Sequence, residues 1–211
     1  MSLVANKVVA FFVEGPTEIE FYKAVIQHVR AVMQTPFDCT FEWVDMRGIG
    51  KYKNDALRKF KHLQNKHPGE DISAILCIDT DAFDLSKKPP INKNDVKKSL
   101  ETSGAQKVCY IEARDSIEDW FLSDLEGVVS YLGLLKGTKR PSGNGQAALK
   151  ALFIRAHKVY LKGSKTENFI KKLNIAKIIS LNCKAIRPLC QILGLDCKKV
   201  CGKDHSSKRS K

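Results

Sequence analysis

Two short apolar runs of this chain end in carboxylates. Val8-Val9-Ala10-Phe11-Phe12-Val13 leads into Glu14-Gly15-Pro16-Thr17-Glu18, and Ser73-Ala74-Ile75-Leu76-Cys77-Ile78 leads into Asp79-Thr80-Asp81. A charge beside a buried strand is costly unless it is paired or metal-bound. In open α/β sheets the carboxyl ends of the strands are where ligands bind. Asp79 and Asp81 are two residues apart, so both side chains project to one side if the backbone stays extended. Two carboxylates held together repel unless a cation or a shared proton intervenes. Oxygen-only ligands of this kind suit Mg²⁺ or Mn²⁺ better than Zn²⁺. An Asp at either position can instead cap the next loop or helix. Glu18 falls in the first turn of the next helix, where the helix dipole alone favours a negative charge. Glu14 has little use of that kind.

The elements that must position these acids alternate in type. Strands are expected at Lys7–Val13, Thr40–Met46, Ser73–Ile78 and Lys107–Ile111. Between them the helical pattern places Thr17 as the cap of a helix running to about Met33, a basic amphipathic helix at Asn54–Lys66, and another near Asp95–Thr102. Strand–helix alternation predicts βαβ units, a parallel sheet and right-handed crossovers. From Ser116 onward the chain reads as helical, with pieces at Ile117–Ser123, Glu126–Leu135, Gln146–Leu161, Thr166–Leu173 and Ala185–Leu193. Gly137–Gly145 reads as a mobile loop.

Glu14-Gly15-Pro16-Thr17-Glu18 after a first strand, with Asp79-Thr80-Asp81 after a third, resembles the Toprim domain of topoisomerases, bacterial-type primases and overcoming-lysogenization-defect (OLD) nucleases. The Glu-Gly-x-Thr-Glu form is most similar to the OLD-type nucleases and to small stand-alone Toprim-like proteins of unassigned function. Those small proteins often carry a later segment that reads here Ser116-Ile117-Glu118-Asp119-Trp120-Phe121-Leu122-Ser123-Asp124. The resemblance covers roughly the first 125 residues. It implies a mainly parallel, Rossmann-like α/β sheet of about four strands flanked by helices, with a C-terminal helical extension. It also implies a Mg²⁺ or Mn²⁺ site, with room for two metals, held by Glu14, Glu18, Asp79, Asp81, Ser116 and Glu118. Glu14 would serve as ligand or general acid/base, and Lys162 or Lys165 as the cation found after the acids in OLD-type sites. The implied activity is nuclease-type hydrolysis of phosphodiester bonds in DNA or RNA, with a partner ATPase as in OLD-type systems. Alternatives are a non-catalytic Toprim-like module that binds nucleic acid or protein, and a haloacid-dehalogenase-like phosphatase, which Asp79-Thr80-Asp81 also resembles. For Glu118 the alternative is an exposed helix position beside a core Trp120.

Two further patterns bear on partners. Arg47-Gly48-Ile49-Gly50-Lys51 joins a strand to a helix; its glycines would let backbone N–H groups approach a phosphate, with Arg47 and Lys51 adding charge. It reads equally as an ordinary βα turn. Cys183, Cys190, Cys197, Cys201 and His205 invite a zinc reading, but Cys197-x₃-Cys201-x₃-His205 is not a standard finger spacing. Cys183 and Cys190, seven apart on one helix, lie two turns from each other.

The 211 residues carry 36 Lys+Arg against 23 Asp+Glu, a net charge of +13 that favours a polyanionic partner. Seven Cys with no secretory signal point to reduced thiols in the cytoplasm. Cys77 and Cys109 fall in expected strands as small core residues. No apolar stretch is long enough for a membrane span. The expected organisation is a Toprim-like α/β domain at 4–125, a helical extension at 126–197 and a basic, disordered tail at 198–211.

Overall fold

Four apolar runs become four strands: β1 (Lys7–Val13), β2 (Thr40–Asp45), β3 (Asp71–Asp79) and β4 (Val108–Ala113). The computed structural model describes residues 7–33, 38–84, 88–161 and 166–202. The strands form one sheet in the order β2-β1-β3-β4, and every neighbouring pair is parallel. The expected α/β fold with a four-stranded parallel sheet flanked by helices is what the chain adopts.

The two central strands are buried on both faces, as parallel strands covered by helices must be. Alternate residues go to opposite sides. Val9, Phe11, Val13, Ile75 and Cys77 enter one apolar cluster, and Val8, Ala10, Phe12, Ala74, Leu76 and Ile78 enter the other. α1 (Pro16–Val32) crosses from β1 to β2 over the first face, burying Phe21, Tyr22, Val25, Ile26 and Val29. α2 (Tyr52–Lys66) returns over the second face through Tyr52, Ala56, Phe60 and Leu63. A four-residue turn, α3 (Asp81–Asp84), follows β3, and α4 (Lys93–Thr102) then covers the second face with Val96 and Leu100. The change of face follows from handedness. β1 to β2 runs one way across the sheet and β2 to β3 to β4 runs the other, so right-handed crossovers put α1 opposite α2 and α4.

The rest of the chain packs on the face of α1. It comprises α5 (Ile117–Leu122), α6 (Leu125–Leu132), α7 (Gly145–Arg155), α8 (Thr166–Ile170), α9 (Ile175–Leu181), α10 (Cys183–Leu193) and α11 (Cys197–Cys201). These helices extend the α1-side core without a break, through Leu149, Phe169, Ile179, Ile186 and Leu189.

Several local expectations change. Thr17 is not the helix cap: Gly15 takes that place in extended geometry, Pro16 opens the helix, and Thr17 is buried in the first turn. The helix expected to reach Leu161 stops at Arg155, and the one expected to reach Leu135 stops at Leu132, where Gly133 is left-handed. α9 and α11 are additional helices. α11 carries the expected tail boundary into order, since Val200 and Cys201 are buried; residues 203–211, including His205, lie outside the described residues. Gly137–Gly145, expected to be mobile, is held to α5. Arg140 pairs with Asp119, and the Gly145 N–H donates to Asp119 Oδ2 at 3.2 Å. A Cβ on Gly145 would stand 2.4 Å from that oxygen, so only glycine fits.

Candidate active site

β1 and β3 are neighbours whose outgoing connections run in opposite directions, so their carboxyl ends flank the topological switch point of the sheet. Glu14 leaves β1 there, and Asp79 ends β3. The Asp79 N–H donates to Glu14 Oε1 at 3.0 Å. The Glu14 N–H in turn donates to Glu18 Oε2 at 2.8 Å. Glu18 is 2% exposed, so it is more than a surface residue satisfying the helix dipole. Asp79 is 6% exposed and its Oδ1 accepts the N–H of Ile117, the first residue of α5, at 2.8 Å.

α5 is brought to Asp79 by a short extension of the β3–β4 pairing. The Thr80 N–H donates to the Ala113 carbonyl at 3.0 Å, the Asp115 N–H to Thr80 Oγ1 at 2.9 Å, and the Asp81 N–H to the Asp115 carbonyl at 3.0 Å. Asp115 adopts the left-handed conformation (φ 61°), which Asp tolerates better than most residues. The resulting turn aims Ser116-Ile117-Glu118 at the strand ends. Glu118 is 1% exposed, which removes the alternative of an exposed position beside Trp120. Its Oε1 accepts the Tyr160 hydroxyl at 3.2 Å, and Thr17 also hydrogen-bonds that hydroxyl. Burial and the Glu118 charge, with a smaller contribution from Asp79, push the Tyr160 phenol far up, so it remains a donor. Burial raises Tyr52 as well, with the charges of Glu18 and Glu14 adding to it. The strand ends are thus an electronegative focus.

Tyr52 braces the two strands where they diverge. Its hydroxyl lies 2.8 Å from the Phe12 carbonyl of β1 and 2.6 Å from the Cys77 carbonyl of β3.

The other expected site residues divide. Asp81 does not continue the strand: β3 ends at Asp79 and Asp81 opens α3, so the extended geometry that would align the two carboxylates is lost at Thr80. Asp81 is half-buried at the rim. Ser116 is buried, but its Oγ donates to Asp119 Oδ2 at 3.0 Å, which turns it toward the α5–α7 contact. Arg47 and Gly48 do not offer free backbone donors to a phosphate. The Arg47 N–H donates to Asp45 Oδ1 at 2.8 Å and the Gly48 N–H to the Glu14 carbonyl at 2.9 Å. Arg47 and Lys51 do line a groove of about 660 Å³ along β2 and α2, with Arg58, Lys59 and His62. Lys162 and Lys165 lie outside the described residues. Tyr160 and Tyr52 are the parts sequence reasoning did not find; each acts across the fold, and no local pattern marks it. Thr17, within the Glu14–Glu18 motif, was expected as a helix cap and instead hydrogen-bonds Tyr160.

The donor set at the strand ends is carboxylate oxygen, which is the chemistry of Mg²⁺ and Mn²⁺ sites. Among the described residues, the group of three or more His, Cys, Asp or Glu side chains whose ligand atoms all lie within 4.8 Å of one another is Cys183, Cys197 and Cys201. The strand-end acids do not form so tight a set among the described residues. No helix among the described residues is long and apolar enough to cross a membrane. Compared with protein-family models, with curated proteins and with solved structures, the chain matches none.

Proposed function

We propose that this chain is a divalent-metal-dependent, Toprim-type nuclease or related phosphoryl-transfer enzyme that hydrolyses phosphodiester bonds in DNA or RNA. The observation that carries this reading is the contact between Glu14 and the Asp79 N–H at the switch point, with buried Glu18 and Glu118 beside it. Carboxylate oxygens at the switch point of an open α/β sheet are the donor type that Mg²⁺ and Mn²⁺ take. Glu14 and Asp79 are the first candidates to hold Mg²⁺ or Mn²⁺, with Glu18 and Glu118 behind them. Such an ion, when bound, would neutralise a phosphate oxygen and acidify a water. Glu14 is the half-buried member of the set and the one placed to exchange a proton with solvent. Tyr160, itself hydrogen-bonded by Thr17, holds Glu118, and the Ile117 N–H holds Asp79, so these acids keep fixed directions. The net charge of +13 supports a nucleic-acid substrate; the groove bearing Arg47, Lys51, Arg58 and Lys59 also carries Glu42, Asp45 and Asp55 and adds little to that charge.

The test is cleavage of single- and double-stranded DNA and RNA with Mg²⁺ or Mn²⁺, comparing wild type with Asp79→Asn and Glu14→Gln. Both variants keep an oxygen for the N–H that each carboxylate accepts, so the fold is retained and is checked by circular dichroism. The expected loss is on the order of 100-fold or more. No cleavage of any substrate with either metal, or full activity in both variants, overturns the reading.

A further inference from the structure

The last two helices bring together a second group of metal-ligating side chains, remote in chemistry from the acids. α10 ends at Leu193, and Gly194 takes a left-handed conformation (φ 71°) that turns the chain back so that α11 lies against the start of α10. Cys197 Sγ then stands 3.6 Å from Cys183 Sγ and 3.5 Å from Cys201 Sγ. Cys183 and Cys201 are joined as a disulfide, with Cα atoms 5.6 Å apart. Three of the seven cysteines thus meet within one 19-residue stretch, with their sulfurs all within 4.8 Å of one another.

A disulfide uses two sulfurs and gives the third no role. A thiophilic metal uses all three. A Zn–S bond of about 2.3 Å in a tetrahedron sets neighbouring sulfurs about 3.8 Å apart, and Cys197 sits close to that spacing from both partners. We propose that Cys183, Cys197 and Cys201, in their reduced form, hold a zinc ion that fastens α11 to α10. Cys183 and Cys197 are half-buried rather than sealed, and Cys201 lines an open cavity of about 640 Å³ with His28, Lys177 and Lys199, so an ion can enter.

The chemistry balances simply. Reduction of Cys183–Cys201 by two molecules of a small thiol gives two protein thiols and one small-molecule disulfide. Zinc then displaces one proton from each of the three thiols. A five-residue helix has almost no stability of its own, and α11 is otherwise attached through Val200 and Cys201. Zinc closes a loop from residue 183 to 201 and binds only the folded chain, so it stabilises the C-terminal end of the α1-side core. All three donors are sulfur, which separates this site from one for Mg²⁺ or Mn²⁺.

The experiment uses the full chain, purified with a phosphine reductant. Zinc is measured by plasma mass spectrometry, and the zinc-stripped protein is titrated with Co²⁺. The expected results are about one zinc per chain, a thiolate-to-cobalt charge-transfer band, and a rise in Tm of about 5–10 °C with saturating zinc. The variant carrying Cys183→Ser, Cys197→Ser and Cys201→Ser should lose the zinc and the band, while Cys109→Ser keeps both. The Co²⁺ titration of wild type makes the outcome independent of whether the triple variant folds. A folded, reduced wild-type protein that retains no zinc and gives no cobalt band overturns the proposal. So does recovery of the chain from acid-quenched cells with Cys183–Cys201 fully disulfide-bonded.

Discussion

The hydroxyl of Tyr160 donates to Oε1 of Glu118 across 42 residues of sequence, inside the protein. A residue of the helical extension thus fixes the last acid of the strand-end set. The direction of Glu118 therefore depends on the chain beyond residue 125 folding back onto α1 and α5.

Replacing Tyr160 by Phe removes that donor and keeps the ring, which packs on Phe153 at 5.2 Å and Phe169 at 6.5 Å. The expected loss of stability is about 1–3 kcal/mol, read as a shift of the urea midpoint at unchanged slope. If the proposed activity is present, cleavage should fall by about 10–100-fold, as for other groups that orient a metal-ligating carboxylate. An unchanged midpoint would mean that the phenol does not hold Glu118.

Tyr52→Phe tests the brace between β1 and β3. Two buried carbonyls, of Phe12 and Cys77, lose their shared donor. Stability should drop by about 1–3 kcal/mol. The Asp79 amide, which bonds to Glu14 at the same divergence, should exchange with solvent faster than amides in the middle of β3. Equal exchange throughout β3 would refute a local role for Tyr52.

Glu42 on β2 gives a pH test away from the acids. Burial pushes its carboxyl up, but Lys66 at 2.7 Å and His67 at 2.8 Å outweigh this and leave it below its ordinary 4.5. With the folded value below the unfolded one, Glu42 contributes stability that is present above pH 4.5 and lost as the pH falls through the folded value. Glu42→Gln should therefore flatten the loss of stability on acidification between about pH 5 and 3. Parallel stability–pH curves for the variant and wild type would show that the pair is not coupled to folding.

The parts of the fold that could be read in advance are those written in continuous residues. Val8–Val13 and Ile72–Ile78 are unbroken apolar runs, and α1 and α2 repeat their apolar positions with helical period, so each appeared within one or two residues of its place. Glu14 and Asp79 were legible because each ends such a run. The turn between Asp79 and Asp81 is not legible, because the bonds that turn the chain at Thr80 come from Ala113 and Asp115, more than thirty residues on. The cysteines are legible as a cluster, but which of them meet is not: spacing along one helix separates Cys183 from Cys190, whereas the group of Cys183, Cys197 and Cys201 forms across the turn at Gly194. Tyr160 follows α7 in a stretch with no periodicity, and its partner is set only by tertiary packing.

The sheet's two faces are finished by different stretches of the chain. One is covered by α2 and α4, whereas Val9, Phe11, Ile75 and Ile111 on the other share their core with helices beyond residue 125. The acid-bearing half is therefore not a portable cassette. Grafted onto another protein or expressed alone, it would present an unfinished apolar surface and self-associate. Any variation that interrupts the later helices acts on the first 125 residues as a folding defect, long before it acts on the chemistry.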